Sequence, residues 1–160
     1  MTNARTLTIS LDFPEPTPSA LIDNLSFGQR RAGNEPPAPQ LLVTNSTGRA
    51  VALDSVTNES EPFHVLSSRN LSVDGHTRLT IFLVGVSLVP DDLAFVTARV
   101  EDSQLNVVNL PVEATARVKN LSWMSQVTVR LPDSLTAVGN VNISVGVRGV
   151  MSNKAPIRIE

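Results

Sequence analysis

Cysteine is absent from the chain, whose 160 residues include only two histidines. Without cysteine the protein can form no disulfide and offers no thiolate, so its core must be held by the packing of sheets. The histidines are His64 and His76, and no Gly-x-Ser-x-Gly segment accompanies them. A nucleophile and its base would have to come from isolated loop residues. We therefore predict that the protein is not an enzyme and that it carries no cofactor and no metal.

Neither sign of charge dominates the chain, and long hydrophobic runs are missing. The 13 basic and 15 acidic residues are interspersed and give a net charge of −2, which provides no long-range attraction for nucleic acid or anionic lipid. No apolar stretch approaches the roughly 18–20 residues that cross a bilayer. We expect no nucleic-acid partner and no membrane insertion, and any signal or anchor would lie outside this chain.

The sequence does contain apolar residues at every second position. These alternating segments are residues 7–13, 79–83, 96–100, 108–114, 127–131 and 141–147. The spacing is typical of half-buried strands, because a helix would place its apolar residues three and four apart. It predicts an all-β protein, an antiparallel β-sandwich with almost no helix.

Turn residues separate the predicted strands. Residues 45–48, Asp74-Gly75 and Gly139-Asn140 can supply the positive φ angles that tight turns need, and Asp74-Gly75 is the clearest hairpin. Proline is concentrated at positions 14–18, which resembles an interdomain linker. A second proline group at positions 36–39 predicts a loop that enters a strand at Gln40.

The two ends of the chain resemble each other. Residues 1–10 and 151–160 both open with Met, Ser or Thr, and Asn, and both continue as an alternating strand. This echo predicts that the chain is one unit of a longer tandem protein.

One family resemblance covers residues 25–118. Residues 25–28 read Leu-Ser-Phe-Gly, residues 37–40 read Pro-Ala-Pro-Gln before a strand, and a long hairpin closes at residues 110–112. This order resembles the BACON domain and its relatives of the ASPM/SPD-2/hydin type. The resemblance implies an immunoglobulin-like sandwich from a bacterial secreted or surface protein, with carbohydrate or mucin binding as a possible role.

The C-terminal part resembles a second family. Residues 126–132, 139–145 and 148–153 are similar to the C-terminal repeat of a paralogous group of large bacterial secreted proteins, which is related to the IPT/TIG immunoglobulin fold. Arg148 stands where that repeat has a glycine, and Asn142 where it has a proline. The resemblance implies a strand order rather than a shared binding surface.

These patterns divide the chain into three parts. Residues 1–19 would form an N-terminal strand and a proline-rich linker, residues 20–117 a BACON-like sandwich of the immunoglobulin type, and residues 118–160 a short IPT/TIG-like β-segment. Three strands after position 117 would leave an open edge and a half-covered face. We expect the strand at residues 5–13 to complete this segment, within its own chain or in a neighbour by strand addition.

Three residues are candidates for contact with a ligand or an interface. Trp123 is the single tryptophan in a chain with five phenylalanines and no tyrosine. It lies where the second and third parts join, and it either plugs that junction or stacks on a sugar ring. Phe63 and His64 are the other two, and their pattern predicts a buried Phe63 beside an exposed His64.

Two groups of carboxylates are candidates for calcium ligands. The groups are Asp91 with Asp92, and Asp54 with Glu59 and Glu61. Calcium takes oxygen ligands from loops, but neither group has an Asp-x-Asp-x-Asp spacing. The favoured interpretation is therefore that these acidic residues keep the loops hydrated, and a calcium site is the alternative.

The function expected from these observations is structural. We predict a non-catalytic structural or adhesion module of a larger bacterial protein, extracellular or on the cell surface, whose partners are neighbouring domains or copies of itself. The alternative is a carbohydrate- or mucin-binding module. A module of the first kind should present a long unpaired strand edge, and one of the second kind an exposed aromatic or polar cleft.

Overall fold

Ten strands and two short 3₁₀ helices make up the part of the chain that the computed structural model describes, residues 38–70 and 72–160. The strands are β1 (Gln40–Leu41), β2 (Ala52–Asp54), β3 (Arg78–Val84), β4 (Val96–Glu101), β5 (Val107–Leu110), β6 (Val112–Val118), β7 (Leu121–Arg130), β8 (Gly139–Val147), β9 (Val150–Met151) and β10 (Ala155–Ile159). The 3₁₀ helices span Pro90–Phe95 and Asp133–Leu135. The predicted strand at residues 5–13 and the linker at 14–18 lie outside the described residues.

The strands form two antiparallel sheets that pack against each other. Sheet 1 has the order β1–β3–β7–β6, with β2 also beside β3, and sheet 2 has the order β10–β8–β4–β5, with β9 also beside β8. Inward-facing residues of both sheets make one core, which includes Leu79, Ile81, Val127, Ile143 and Ile157, all fully buried. Each such side chain stabilises the fold by about 2 kcal/mol. The prediction of an all-β antiparallel sandwich is confirmed.

The predicted boundary at 117/118 does not separate two domains. β7 pairs with β3 and with β6 in sheet 1, and β8 pairs with β4 in sheet 2. Residues Pro37–Glu160 form one compact unit, so the segment 118–160 is part of the same sandwich and not a short second β-segment. Antiparallel partners can be far apart in sequence, and no local pattern reveals which strands will pair.

The alternating run at residues 108–114 is two strands in different sheets. Leu110 in β5 pairs with Ala98 in sheet 2, whereas Val112 in β6 pairs with Val129 in sheet 1. Pro111 lies between them and has no N–H to contribute to a ladder. The hairpin of β4 and β5 therefore ends at Leu110, and the chain then passes from one sheet to the other.

Two of the three predicted turns lie where expected, and the third does not. Gly139 and Asn140 are the first two residues of β8 and pair with β10, so the turn comes before them, at residues 136–137. β1 begins at Gln40, and the turn after it contains Gly48 at φ 66°. Gly75, at φ 64°, also lies in a turn. The residues around Gly75 form only the isolated bridge between Leu66 and His76, so the predicted hairpin at Asp74-Gly75 is a loop without paired strands.

Candidate functional site: the two edges of the sandwich

One lateral edge of the sandwich, formed by β10, has bonded backbone groups along its outward side. The Ala50 N–H donates to the Pro156 carbonyl at 3.1 Å. The Phe63 N–H donates to the Arg158 carbonyl at 2.9 Å, and the Glu160 N–H donates to the Phe63 carbonyl at 2.8 Å. We call this the closed edge. A strand edge whose groups are bonded in this way offers no template for another chain.

A carboxylate completes the closed edge. The Arg158 N–H donates to Glu61 Oε2 at 2.7 Å, and Arg49 Nη2 donates to the same oxygen at 2.6 Å. Burial alone would raise the pKa of Glu61, but the hydrogen bonds from Arg49 and Arg158 outweigh burial, and the pKa lies below its ordinary value. The carboxylate thus stays charged and takes the place of a carbonyl partner for Arg158.

The closed edge belongs to the segment 118–160, whose open edge residues 5–13 are expected to cover. Ala50, Glu61 and Phe63 bond to the outward side of β10, so this edge is not open, and residues 5–13 lie outside the described part of the chain. The sequence did not reveal this contact, because these residues bond to β10 mainly through their backbone.

Two of the predicted site residues lie at the closed edge. Phe63 is 3% exposed and belongs to the core, so its ring has no face for a ligand. His64 is exposed, and Val65 after it is buried. The predicted alternation of a buried Phe63 and an exposed His64 is confirmed, but the role of Phe63 is to anchor the edge from inside.

The other lateral side is formed by β5 and β6. In the turn between β4 and β5, the Asp102 N–H donates to the Asn106 carbonyl at 3.1 Å. This bond determines which residues of β5 direct their backbone groups toward β4 and which direct them away. Val108 and Leu110 therefore direct their backbone groups toward β4, and Val107 and Asn109 direct theirs away from it. Val107 is also 49% exposed.

The same alternation applies to β6. The Arg130 N–H donates to the Pro111 carbonyl at 2.9 Å, so the even-numbered residues of β7 face β6. Ala114 and Ala116 pair with residues 128 and 126 of β7, and Thr115 and Arg117 direct their backbone groups outward. Within residues 38–70 and 72–160, no strand pairs with β5 or β6 on the outward side. We call this the open edge.

A cavity of about 300 Å³ lies beside the open edge. Its lining comes from the first 3₁₀ helix, β4, β5 and β6, namely Leu93, Val96, Thr97, Ala98, Asn109, Leu110 and Val112. The lining combines apolar side chains with the polar Thr97 and Asn109. An extended segment that paired with the open edge would thus meet a surface of mixed polarity.

The first 3₁₀ helix is fixed beside β6 and does not bond to its outward backbone. The Thr115 hydroxyl donates to the Val89 carbonyl at 2.8 Å on the core side. Asp92 accepts from the Val89 N–H at 2.9 Å and from Arg148 Nη2 at 2.6 Å. The Val89 N–H and then the Arg148 guanidinium hold the pKa of Asp92 below its ordinary value.

Arg148 occupies a turn position with a backbone conformation that favours glycine. It lies in the two-residue turn between β8 and β9 at φ 50°, and Gly149 follows at φ 83°. A non-glycine residue in the left-handed region carries a cost in strain. The ion pair with Asp92 offsets that cost, because it ties the turn to the 3₁₀ helix.

Asp91 is exposed, whereas the carboxylates of the second candidate group for calcium have protein partners. Asp54 Oδ1 accepts from the N–H groups of Val56 and Thr57 at 2.8 and 3.0 Å. Glu59 forms an ion pair with Arg69 at 2.8 Å. In the described part of the chain, no three His, Cys, Asp or Glu residues come together as a metal site would require.

Trp123 stands on an irregular stretch near the start of β7. The pairing of β6 with β7 shifts between Arg117 opposite Ser125 and Val118 opposite Leu121, so Trp123 lies between the two registers. It is 57% exposed, and the interpretation that it plugs a junction between two domains is wrong. Phe95 is exposed to a similar degree; sequence reasoning missed it, because it ends a 3₁₀ helix directly before an alternating strand.

Comparisons with protein-family models, curated proteins and solved structures find no match for this chain. Among the residues that the structure describes, no helix is long and apolar enough to cross a membrane.

Proposed function

We propose that the protein is a non-catalytic structural or adhesion module of a larger bacterial protein, extracellular or on the cell surface, and that it joins neighbouring modules by strand addition at the open edge. The observation that carries the proposal is the contrast between the two edges. Each main-chain hydrogen bond that a partner strand forms with the outward groups would contribute about 1 kcal/mol. The immunoglobulin-like type and the two family resemblances remain predictions within this proposal.

The surroundings of His76 support a non-catalytic role. Its Nδ1 lies 2.9 Å from the Asp74 carbonyl, and its Nε2 lies 3.0 Å from Asp133 Oδ1. Both ring nitrogens thus face acceptor oxygens, and neither faces a hydroxyl that the imidazole could activate. The ring fastens a loop to the second 3₁₀ helix.

Residue-resolved hydrogen exchange of the full chain at low concentration tests the proposal. The Thr115 and Arg117 amides should exchange quickly, because they point outward from β6. The Ala116 amide faces β7, and the Arg158 amide bonds to Glu61, so both should exchange slowly and serve as internal controls. Slow exchange of Thr115 and Arg117 in the dilute monomer would show that the edge is already bonded and would overturn the proposal.

The second candidate function is carbohydrate or mucin binding, which the exposure of Trp123 favours. A sugar ring stacks its C–H face on an exposed aromatic ring. The test is a glycan array probed with the full chain, with Trp123→Ala and with Phe95→Ala as a matched control for the loss of one exposed ring. Binding that only Trp123→Ala abolishes would favour this function, and no binding by the full chain would reject it.

A further inference from the structure

The sequence of β6 is a palindrome except for its charges. It reads Val112-Glu113-Ala114-Thr115-Ala116-Arg117-Val118, and Thr115 is its centre. Reversing the order exchanges only Glu113 and Arg117, which carry opposite charges. A strand of this kind is complementary to a second copy of itself that runs in the opposite direction.

The direction of the backbone groups selects the same register. Thr115 and Arg117 present their N–H and C=O groups to the open edge, so an antiparallel partner must bond through residues of this set. A two-fold axis at Thr115 places this residue opposite Thr115 of the second copy. In that register Ala114 lies opposite Ala116 of the second copy. The pairing of β6 with β7 is irregular on either side of this central part, between Val112 and Ala114 and between Arg117 and Val118.

The charges are complementary in this register. Glu113 stands opposite Arg117 of the second copy, and the symmetry repeats the pairing at the other end. Glu113 already accepts from Arg78 Nε at 2.9 Å, and among the described residues Arg117 has no carboxylate within ion-pair distance. The second copy's Glu113 would thus bring negative charge to Arg117, which adds specificity more than affinity. A shift by two residues would place Glu113 opposite Thr115 in one direction and opposite Lys119, in the turn after β6, in the other.

We propose that the occupant of the open edge is a second copy of this chain, paired β6 to β6 in antiparallel orientation about Thr115. Sheet 1 then continues from one copy into the other. The inference rests on the proposed function, since it names the partner of the same edge. A single pair of strands buries less surface than the roughly 1,000 Å² of a stable interface, so the dimer should be weak and should depend on concentration.

Disulfide trapping tests the register directly, because the chain has no cysteine of its own. Ala114 and Ala116 of two copies would form a non-hydrogen-bonded pair with Cα atoms about 4.5 Å apart, which suits a disulfide. Under mild oxidation, a mixture of Ala114→Cys and Ala116→Cys chains should give a cross-linked dimer, and each variant alone should give little. Asn109→Cys on β5 is the control for random collision.

The outcomes of this trapping experiment separate the two proposals. No cross-link in the mixture, or equal cross-linking of each variant alone, would overturn pairing in this register, provided that circular dichroism shows both variants folded. If the Arg117 amide still exchanges quickly, the proposed function stands with a different partner. If that amide is protected in the dilute monomer, both proposals fail.

Reversal of charge gives an independent test by light scattering across a range of concentrations. Arg117→Glu and Glu113→Arg each place like charges at both ends of the pair, and each should weaken self-association about tenfold. A mixture of the two variants pairs opposite charges again and should associate as the parent does. Association that neither variant weakens, or that the mixture of folded variants does not restore, would overturn the charge-matched register.

Discussion

The closed edge and the open edge belong to the same sandwich and differ in what the rest of the chain brings to them. β10 is bordered by residues 50, 61 and 63, and the contact from Glu61 to Arg158 spans 97 residues of sequence. β6 has a partner on one side alone within the described part of the chain. Protection of an edge is thus a property of distant segments and not of the edge strand itself. A module with one edge of each kind can add a partner in one direction without aggregating in both.

The largest loss of stability is expected when the buried anchor of the closed edge is removed. Phe63→Ala deletes a side chain that is 3% exposed and should lower the free energy of unfolding by about 4 kcal/mol through lost burial and a cavity. Urea denaturation measures it. Val107→Ala at the open edge is the control and should change it by about 0.5 kcal/mol or less. Equal effects would mean that the closed edge is not held from inside.

Introducing proline at each edge tests directly whether the two edges differ in their backbone hydrogen bonds. Arg158→Pro removes an N–H that donates to Glu61 and should cost about 3 kcal/mol. Arg117→Pro removes an outward N–H and should cost about 1 kcal/mol, since proline is tolerated on free edges. Arg158→Ala and Arg117→Ala control for the loss of charge. Urea midpoints that fall equally for both prolines would contradict the assignment of the two edges.

The pH dependence of stability should depend on the closed edge. The pKa of Glu61 is lowered in the folded protein, so its carboxylate adds stability that is present above its ordinary value near 4.5 and is lost as the pH falls through the folded value. Glu61→Gln should lower the free energy of unfolding by about 1 kcal/mol at neutral pH. It should also make that free energy depend less on pH in the range where Glu61 titrates. Asp74→Asn serves as the comparison at a site away from the closed edge, because the pKa of Asp74 is also lowered, there by hydrogen bonds from Arg78. An unchanged profile in Glu61→Gln would contradict the role of this carboxylate.

The smallest effect is expected outside both edges. Trp123→Ala removes a ring that is 57% exposed and should change the free energy of unfolding by about 0.5 kcal/mol or less. Thermal melting followed by circular dichroism measures it. A loss of several degrees would indicate that the ring is covered after all and would revive the interpretation that it fills an interface.

Sequence reasoning predicted the strands well, because burial on one face imposes alternation whichever strand is the partner. β3, β4 and β8 coincide with predicted segments, whereas β7 begins at Leu121, ahead of the predicted segment 127–131. It failed at Pro111, because alternation continues across the change of sheets from Leu110 to Val112 and the proline was the one local signal. It failed at the 117/118 boundary for a related reason, since pairing of β7 with β3 joins residues that no local pattern connects.

The sequence predicted the type of candidate site, an unpaired strand edge, but not the strands that form it. An unpaired strand edge was expected at the C-terminal segment, and among the described strands it lies at β5 and β6. The error arose because backbone groups of Ala50 and Phe63 carry no sequence signal for pairing with β10. The palindrome of β6, by contrast, can be read directly from the sequence. It indicates a pairing partner only when the structure shows that the backbone groups of Thr115 and Arg117 face outward.

The 97-residue separation between Glu61 and Arg158 also has a consequence for the time course of folding. Contacts between distant positions form late, because closing a long loop costs entropy before any bond rewards it. Until that closure, the outward groups of β10 lack the partners that residues 50, 61 and 63 supply in the folded protein. The period of greatest risk for mispairing therefore precedes the native state, and a chaperone or slow emergence of the chain would protect the edge that the folded protein later protects by itself.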